Sequence, residues 1–281
     1  MRKISFKQVV NEVAVICLKA AYDLPEDVLN TIKECLKYED SERAKEFLRQ
    51  YLANADIASK ERVPICQDTG FAVYFVEMGE DVCIDGGSIY EAIEKGTIKG
   101  YKEGFLRKSI VSDPIFGRKN TGDNTPAIVH LDLVQGENLK VIIAPKGGGS
   151  ENMSQIKMLK PSDGRQGVIN TVVDAVVNAG GNPCPPTVVG VGVGGTFEKA
   201  AFLAKKALLR ELGSLNTDEN YALMEKEILE KINNSNVGPQ GLGGKTTALA
   251  VHIEHFPCHI ASLPVAINLN CHAARHAEFV I

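Results

Sequence analysis

No stretch of this sequence approaches the roughly 18 unbroken apolar residues that a membrane-crossing helix needs. The opening residues, MRKISFKQVVNEVAVICLKAAYDL, do not read as a leader. Their apolar stripe at helical spacing is broken by Lys7, Asn11, Glu12 and Lys19, and no small-residue cleavage site follows. Charge of one sign is also missing: 31 basic residues against 35 acidic ones give a formal net charge of -4, so no basic field favours nucleic acid or anionic lipid. The seven cysteines are odd in number and irregularly spaced, with no C-x-x-C pair. That argues against a disulfide framework and against the short-spaced zinc-ribbon and ferredoxin patterns. Internal repeats and low-complexity linkers are absent. Together these absences predict a cytoplasmic protein that handles small molecules, with neither nucleic acid nor membrane as partner.

What is present is an ordinary apolar fraction, 44% of 281 residues, enough to bury a sizeable core. Residues 1 to about 60 carry three helical patterns: one over roughly 5–22, one opened by Leu24-Pro25-Glu26, and one after Asp40-Ser41. From Arg62 the texture changes to short apolar runs between Gly, Pro and Asp: FAVYFVEM, then AIVHLDLV and LKVIIAP separated by QGEN as in a hairpin. Helices are expected from Ser88 through Tyr101, from Pro161 through Asn178 and over about Thr217 to Asn233, with a long one starting near Thr196. A strand is expected over Thr187 to Val193, and TTALAVHIEHF and CHIASLPVAINLN read as two strands, taken as neighbours. The order implies a mixed α/β (α+β layer) fold, a helical part over 1–60 packed on a sheet-containing body over 61–281, the whole being a single domain.

Among the cysteines, Cys17 in VAVICLKAA and Cys35 in IKECLKY sit at helical positions among apolar neighbours, where a thiol behaves as a small hydrophobe. Cys83, in EDVCIDGG, has no neighbouring cation to stabilise a thiolate and reads as structural. Three others sit in VPICQDTGF (Cys66), GGNPCPPT (Cys184) and NLNCHAARHA (Cys271), where Pro and Gly break regular structure and present a thiol at a loop. That presentation suits a metal ligand. The long separations carry no metal signal of their own, and three unrelated turn cysteines fit the same text. Cys258, in HFPCHIAS, is a rival for third ligand.

The runs VPICQDTG, LRKSIVSDP, PKGGGSENMS, NPCPPTVVGVGVGG, GPQGLGGKTTALAV and PCHIASLPVAINLNCHAARHA resemble, in order, the N-terminal half of iron-sulfur (class I) fumarate hydratases and the related L-tartrate dehydratase alpha subunits. The resemblance covers about Val63 to Ala277. It implies a hydro-lyase converting fumarate to malate, with L-tartrate as the alternative substrate. It also implies a 4Fe-4S cluster held by Cys66, Cys184 and Cys271, with one iron open to a small dicarboxylate substrate. Three ligands leave the open position that Lewis-acid chemistry needs, whereas four would close the cluster for electron transfer. By the same resemblance Gln67 and Asp68 contact substrate, with Asp68 in proton transfer, and Arg107 in LRKS grips a carboxylate with its planar fork. The glycines before Ser150, Gly148 and Gly149 among them, offer backbone N–H groups to an anion, and His259 falls on a catalytic position. Single-chain members of the family continue into a second domain, and two-subunit members have it on a separate beta subunit. The latter arrangement, a hetero-oligomer inactive without its beta subunit, is the one implied for this chain.

Other motifs compete. GVGVGG over Gly190 to Gly195 matches the glycine spacing of a dinucleotide fingerprint, but the candidate ribose acid, Glu211, falls at the end of a predicted helix where a strand end is needed. GLGGKTT looks like a phosphate-binding loop whose required first glycine is displaced by Pro239. His252, His255, His259, Cys271, His272 and His276 suggest zinc without matching a standard zinc pattern. A non-catalytic scaffold subunit is the third class of reading.

Overall fold

Helix and sheet alternate as the mixed α/β expectation requires. The computed structural model describes residues 1–281. In chain order its elements begin with β1 (Arg2–Ser5), α1 (Phe6–Tyr22), α2 (Glu26–Tyr38), α3 (Glu42–Glu61), β2 (Phe71–Gly79), β3 (Val82–Asp85) and α4 (Ile89–Glu103). Next come β4 (Ile128–Val134), β5 (Leu139–Lys146), α5 (Gly148–Glu151), β6 (Gln155–Leu159), α6 (Gly164–Ala179) and β7 (Thr187–Gly194). The last are α7 (Phe197–Ala207), α8 (Glu219–Asn233), β8 (Ala248–Phe256), β9 (Leu263–Asn270) and β10 (Ala277–Val280). No helix is long and apolar enough to cross a membrane. Two compact units are distinguishable: the first comprises Met1–Leu24, Ala55–Gly148 and Arg275–Ile281, the second Pro25–Asn54 and Gly149–Ala274.

In the first unit, α1 and α4 cover a four-stranded sheet of order β10-β5-β2-β4. The apolar stripe Val9, Val13, Ile16 and Ala20 of α1 packs with Ala92 and Ile93 of α4 and with Tyr74, Val76, Val141 and Ile143 of the sheet. Helix α4 starts where a serine can satisfy an orphan N–H: the Ser88 hydroxyl accepts from Glu91 N. The buried Tyr74 hydroxyl is paired with Thr97 Oγ1 at 2.7 Å and with Cys17 Sγ at 3.2 Å. Burial pushes the Cys17 thiol up to about 12, so this cysteine is a packing residue and not a nucleophile. Two expectations fail here. Residues 2–5 are not helical but form β1, which pairs in parallel with β3. The strands flanking QGEN are not a hairpin: β2 lies between β4 and β5, parallel to the first and antiparallel to the second. Strand β2, buried on nearly its whole length, takes the central place that a half-exposed β4 cannot fill.

In the second unit the sheet order is β6-β9-β7-β8, so the two tail strands β8 and β9 are likewise separated, by β7. Every residue of β7 is buried. Its alternation sorts two faces. Val189, Val191 and Val193 join α6 and α8 in one core, while Gly190 and Gly192 face α7. A Cβ on Gly190 would lie 2.1 Å from the Ala204 carbonyl oxygen, and one on Gly192 2.0 Å from that of Ala200. The glycines of GVGVGG therefore seat a helix against a strand, which removes the dinucleotide reading. Helix α7 is also shorter than expected, 11 residues, and ends before Glu211. Strands β6 and β10 lie in segments without a clear strand pattern.

On the α7 side of β8, the His252 ring is buried with Nδ1 3.3 Å from Ala207 O. Burial, with the Arg210 guanidinium adding to it, holds this imidazole down at about 4 from its ordinary 6.5. The unfolded chain therefore takes up the proton more readily than the native one. The corresponding stability is present above pH 6.5 and is lost as pH falls toward 4. An acid-unfolding series should lose about 3 kcal/mol across that window, and His252→Asn should lose much less there. Equal pH dependence in the two proteins would refute the assignment.

Candidate functional site

The first unit fixes the loop between α3 and β2 by its carbonyl groups. Arg275, buried in the tail, donates to Asp68 O. The Tyr101 hydroxyl lies 3.1 Å from both Thr69 O and Gly70 O, and Asn124 Nδ2 donates to Gly70 O at 3.2 Å. The Thr69 hydroxyl in turn donates to Arg107 O at 2.8 Å, tying the 66–70 loop to the segment after α4. Burial pushes the Tyr101 phenol well above its ordinary range, so it acts as a fixed donor.

With its main chain anchored, this loop presents three side chains. Cys66 is half-buried, its Sγ 3.4 Å from Gln67 Oε1, and Gln67 itself is exposed. The Asp68 carboxylate accepts from Gly70 N at 3.0 Å and from Gly148 N at 2.8 Å. The N–H of Gly148 thus ends on Asp68. Arg107 is exposed, and its guanidinium makes no hydrogen bond or ion pair. Three of the anchoring residues, Tyr101, Asn124 and Arg275, were not singled out from sequence. Arg275 carried the one usable signal, a cation among the alanines of CHAARHA.

In the second unit Cys184 and Cys271 belong to one constellation. Cys184, between Pro183 and a cis Pro185–Pro186 pair, adopts a left-handed φ of 54° and is exposed. Cys271 follows directly on β9 and is half-buried. Both the backbone N and the ring Nδ1 of His272 reach Cys184 O, at 3.3 and 3.0 Å. The Tyr51 ring stacks on His272 with centroids 3.8 Å apart and 12° between planes. Burial pushes the Tyr51 phenol up to about 12, a hydrogen bond from Gln240 opposing it and the Cys184 and Cys271 thiols adding to it.

The connection between β8 and β9 carries Cys258 and His259, both exposed. His259 Nδ1 accepts from Ala261 N at 3.2 Å, so the neutral ring carries its proton on Nε2. These two residues border a cleft of about 640 Å³ shared with Arg165, Tyr221, Met224 and Leu263.

Glycine-rich GLGGKTT does bind an anion, and the anion is internal. The backbone N–H groups of Lys245 and Thr246, each 2.9 Å from Glu39 Oε2, and the Thr246 hydroxyl at 2.8 Å converge on that buried carboxylate. The phosphate-loop reading ends there.

No three His, Cys, Asp or Glu side chains converge tightly enough to grip a single metal ion, so the histidines of the tail form no zinc centre. A cluster poses a different requirement, because each thiolate binds its own iron and the thiols need not meet at one point. The donor chemistry fits: Cys66, Cys184 and Cys271 lie outside the helices and strands, form no disulfide and are not buried. Cys17 is buried, and Cys35, half-buried within helix α2, has its thiol pushed up to about 11 by burial.

Comparison with known proteins shows the family of the chain. The chain matches the family described as Fumarate hydratase (Fumerase) over residues 10–280. It is accordingly a subunit of the hydro-lyase class. Among its relatives, a protein of Methanocaldococcus jannaschii provisionally named L(+)-tartrate dehydratase subunit alpha is 46% identical over 264 residues, covering 92% of each chain. The L(+)-tartrate dehydratase subunit alpha of Escherichia coli O157:H7 is 32% identical over 263 residues, 92% of this chain and 86% of that one. The chain belongs to the fumarate hydratase (Fumerase) family.

Proposed function

We propose that this chain is the cluster-binding alpha subunit of a cytoplasmic hydro-lyase that reversibly adds water to fumarate to give malate. Cys66, Cys184 and Cys271 are its 4Fe-4S ligands, and a separate beta subunit completes the catalytic assembly. The reading is carried by one observation. The three cysteines of the matched motifs lie outside the helices and strands and are not buried, while Cys17 is sealed in a helical core and the half-buried Cys35 sits within helix α2 with its thiol pushed up to about 11. The subunit names of the relatives support the beta partner.

When bound, a cluster with one open iron supplies Lewis acidity toward a substrate hydroxyl. The chain's own residues do the rest. Arg107, with an unspent guanidinium, offers two parallel donors to a carboxylate. Gln67, exposed beside Cys66, orients the substrate. The Gly148 N–H holds Asp68 for proton transfer; a carboxylate with two backbone N–H partners keeps lone pairs for a third. Gly149 is then the backbone donor for the substrate's second carboxylate. His259, protonated on Nε2, adds a donor or shuttle.

The L-tartrate reading has its own support in the names of the relatives. Anaerobic reconstitution of the chain with its beta subunit, followed by assays on fumarate, malate and L-tartrate, decides between them. Turnover confined to tartrate would sink the fumarate assignment. Iron and sulfide analysis of Cys66→Ser, Cys184→Ser and Cys271→Ser should show each losing the cluster, with turnover reduced at least about a hundredfold. Cys258→Ser should keep both. A folded wild-type chain that takes up no iron would overturn the cofactor assignment.

A further inference from the structure

Tyr51 holds the residues that follow both second-unit cysteines. Its ring stacks on His272, the neighbour of Cys271, and its hydroxyl donates to the carbonyl of Pro185, the neighbour of Cys184, at 3.3 Å. The same hydroxyl accepts from Gln240 Nε2 at 2.7 Å. Nothing in the reaction chemistry calls for a phenol here, and the side chain is half-buried.

We propose that Tyr51 is a positioning residue that fixes Cys184 and Cys271 relative to each other before any cluster is present. The inference rests on the assignment of those two thiols as ligands, but its mechanics do not. Cys184 sits in a left-handed conformation that a residue with a side chain adopts only when its surroundings over-determine it. The determinants are visible. Both donors of His272, the backbone N–H and the ring Nδ1–H, reach the Cys184 carbonyl. A carbonyl partner requires that Nδ1 carry a proton. Tyr51 stacks on a face of that ring and ties down Pro185. Gln240, itself held at a φ of 56°, sets the phenol's height through its own bond to Pro185 O by way of the Gln240 N–H at 3.0 Å. One side chain from helix α3 therefore locks two loops that lie far apart in sequence. Preorganising ligands in this way removes the ordering cost that a cluster would otherwise meet on binding.

The test reads thiol reactivity in the reduced, cluster-free chain, so it stands whether or not the chain takes up iron. Site-resolved iodoacetamide labelling compares wild type, Tyr51→Leu, Tyr51→Phe and His272→Ala, with Cys66 and Cys258 as internal references. Tyr51→Leu should raise the labelling rate of half-buried Cys271 about tenfold, the order by which losing a ring stack and two hydrogen bonds shifts a local opening. Tyr51→Phe keeps the stack and should raise it by about threefold. The reference rates should hold. A folded Tyr51→Leu protein with an unchanged Cys271 rate overturns the proposal. If that variant does not fold, unchanged rates in both Tyr51→Phe and His272→Ala overturn it equally. Iron uptake by wild type, measured separately, tests the ligand assignment alone.

Discussion

Gly192→Ala should cost about 4 kcal/mol of stability, a loss at the upper end of single substitutions. The added methyl would lie 2.0 Å from the Ala200 oxygen, 2.7 Å from the Ala204 nitrogen and 2.9 Å from Leu203 Cβ. Two of these are backbone atoms of α7, so no rotamer change makes room and the helix itself must retreat. Retreat breaks the contact of Ala200 and Ala204 with Ala266 on the sheet. Gly117→Ala is the matched control, because nothing lies within 4 Å of its added Cβ and its φ is ordinary. Urea unfolding of both variants checks the pair. Near-equal midpoints would mean that α7 is not seated by these glycines.

Glu39→Gln is expected to lose about 3 kcal/mol at neutral pH, since a buried carboxylate surrounded by donors is replaced by an amide that points a donor at donors. The carboxylate accepts from Asp40 N and Ser41 N besides Lys245 N, Thr246 N and the Thr246 hydroxyl. Burial pushes its proton affinity up, yet the Lys245, Thr246 and Ser41 N–H groups and the Thr246 hydroxyl together hold it below the ordinary carboxylate value. A depressed value means that the stabilisation is complete above the unfolded chain's carboxylate range and is lost as pH falls through the native one. The gap between wild type and Glu39→Gln should therefore be constant near neutrality and narrow in acid. A gap independent of pH down to acid unfolding would refute this account.

How much could be read from sequence differs by level. Helices were legible because their signals are local. Ser88 caps α4 and an acid precedes α8, where Asp218 accepts from Asn220 N and Tyr221 N. Strands were legible from β-branched runs, but their neighbours were not. Both failures have one cause: β2 and β7, buried nearly throughout, are the strands that belong in sheet interiors, and each inserts between two strands close in sequence. Adjacency in the chain gives no warning of that. Glycine motifs misled in a related way. GVGVGG and GLGGKTT do mark close approach and convergent N–H groups, yet what approaches is α7 in one case and Glu39 in the other. The turn cysteines stood out by their Pro and Gly context. Tyr101, Asn124 and Tyr51 did not, because a side chain that binds a distant main-chain atom leaves no spacing pattern.

The 66–70 loop is suspended from three consecutive carbonyl oxygens, those of Asp68, Thr69 and Gly70, by hydrogen bonds that do not involve the side chains of Cys66 or Gln67. Scaffold and chemistry are thereby uncoupled at this spot. A replacement at position 66 or 67 alters what the loop offers to a ligand and leaves its path intact, so a deficit measured in such a variant reports on the missing functional group and not on a collapsed loop.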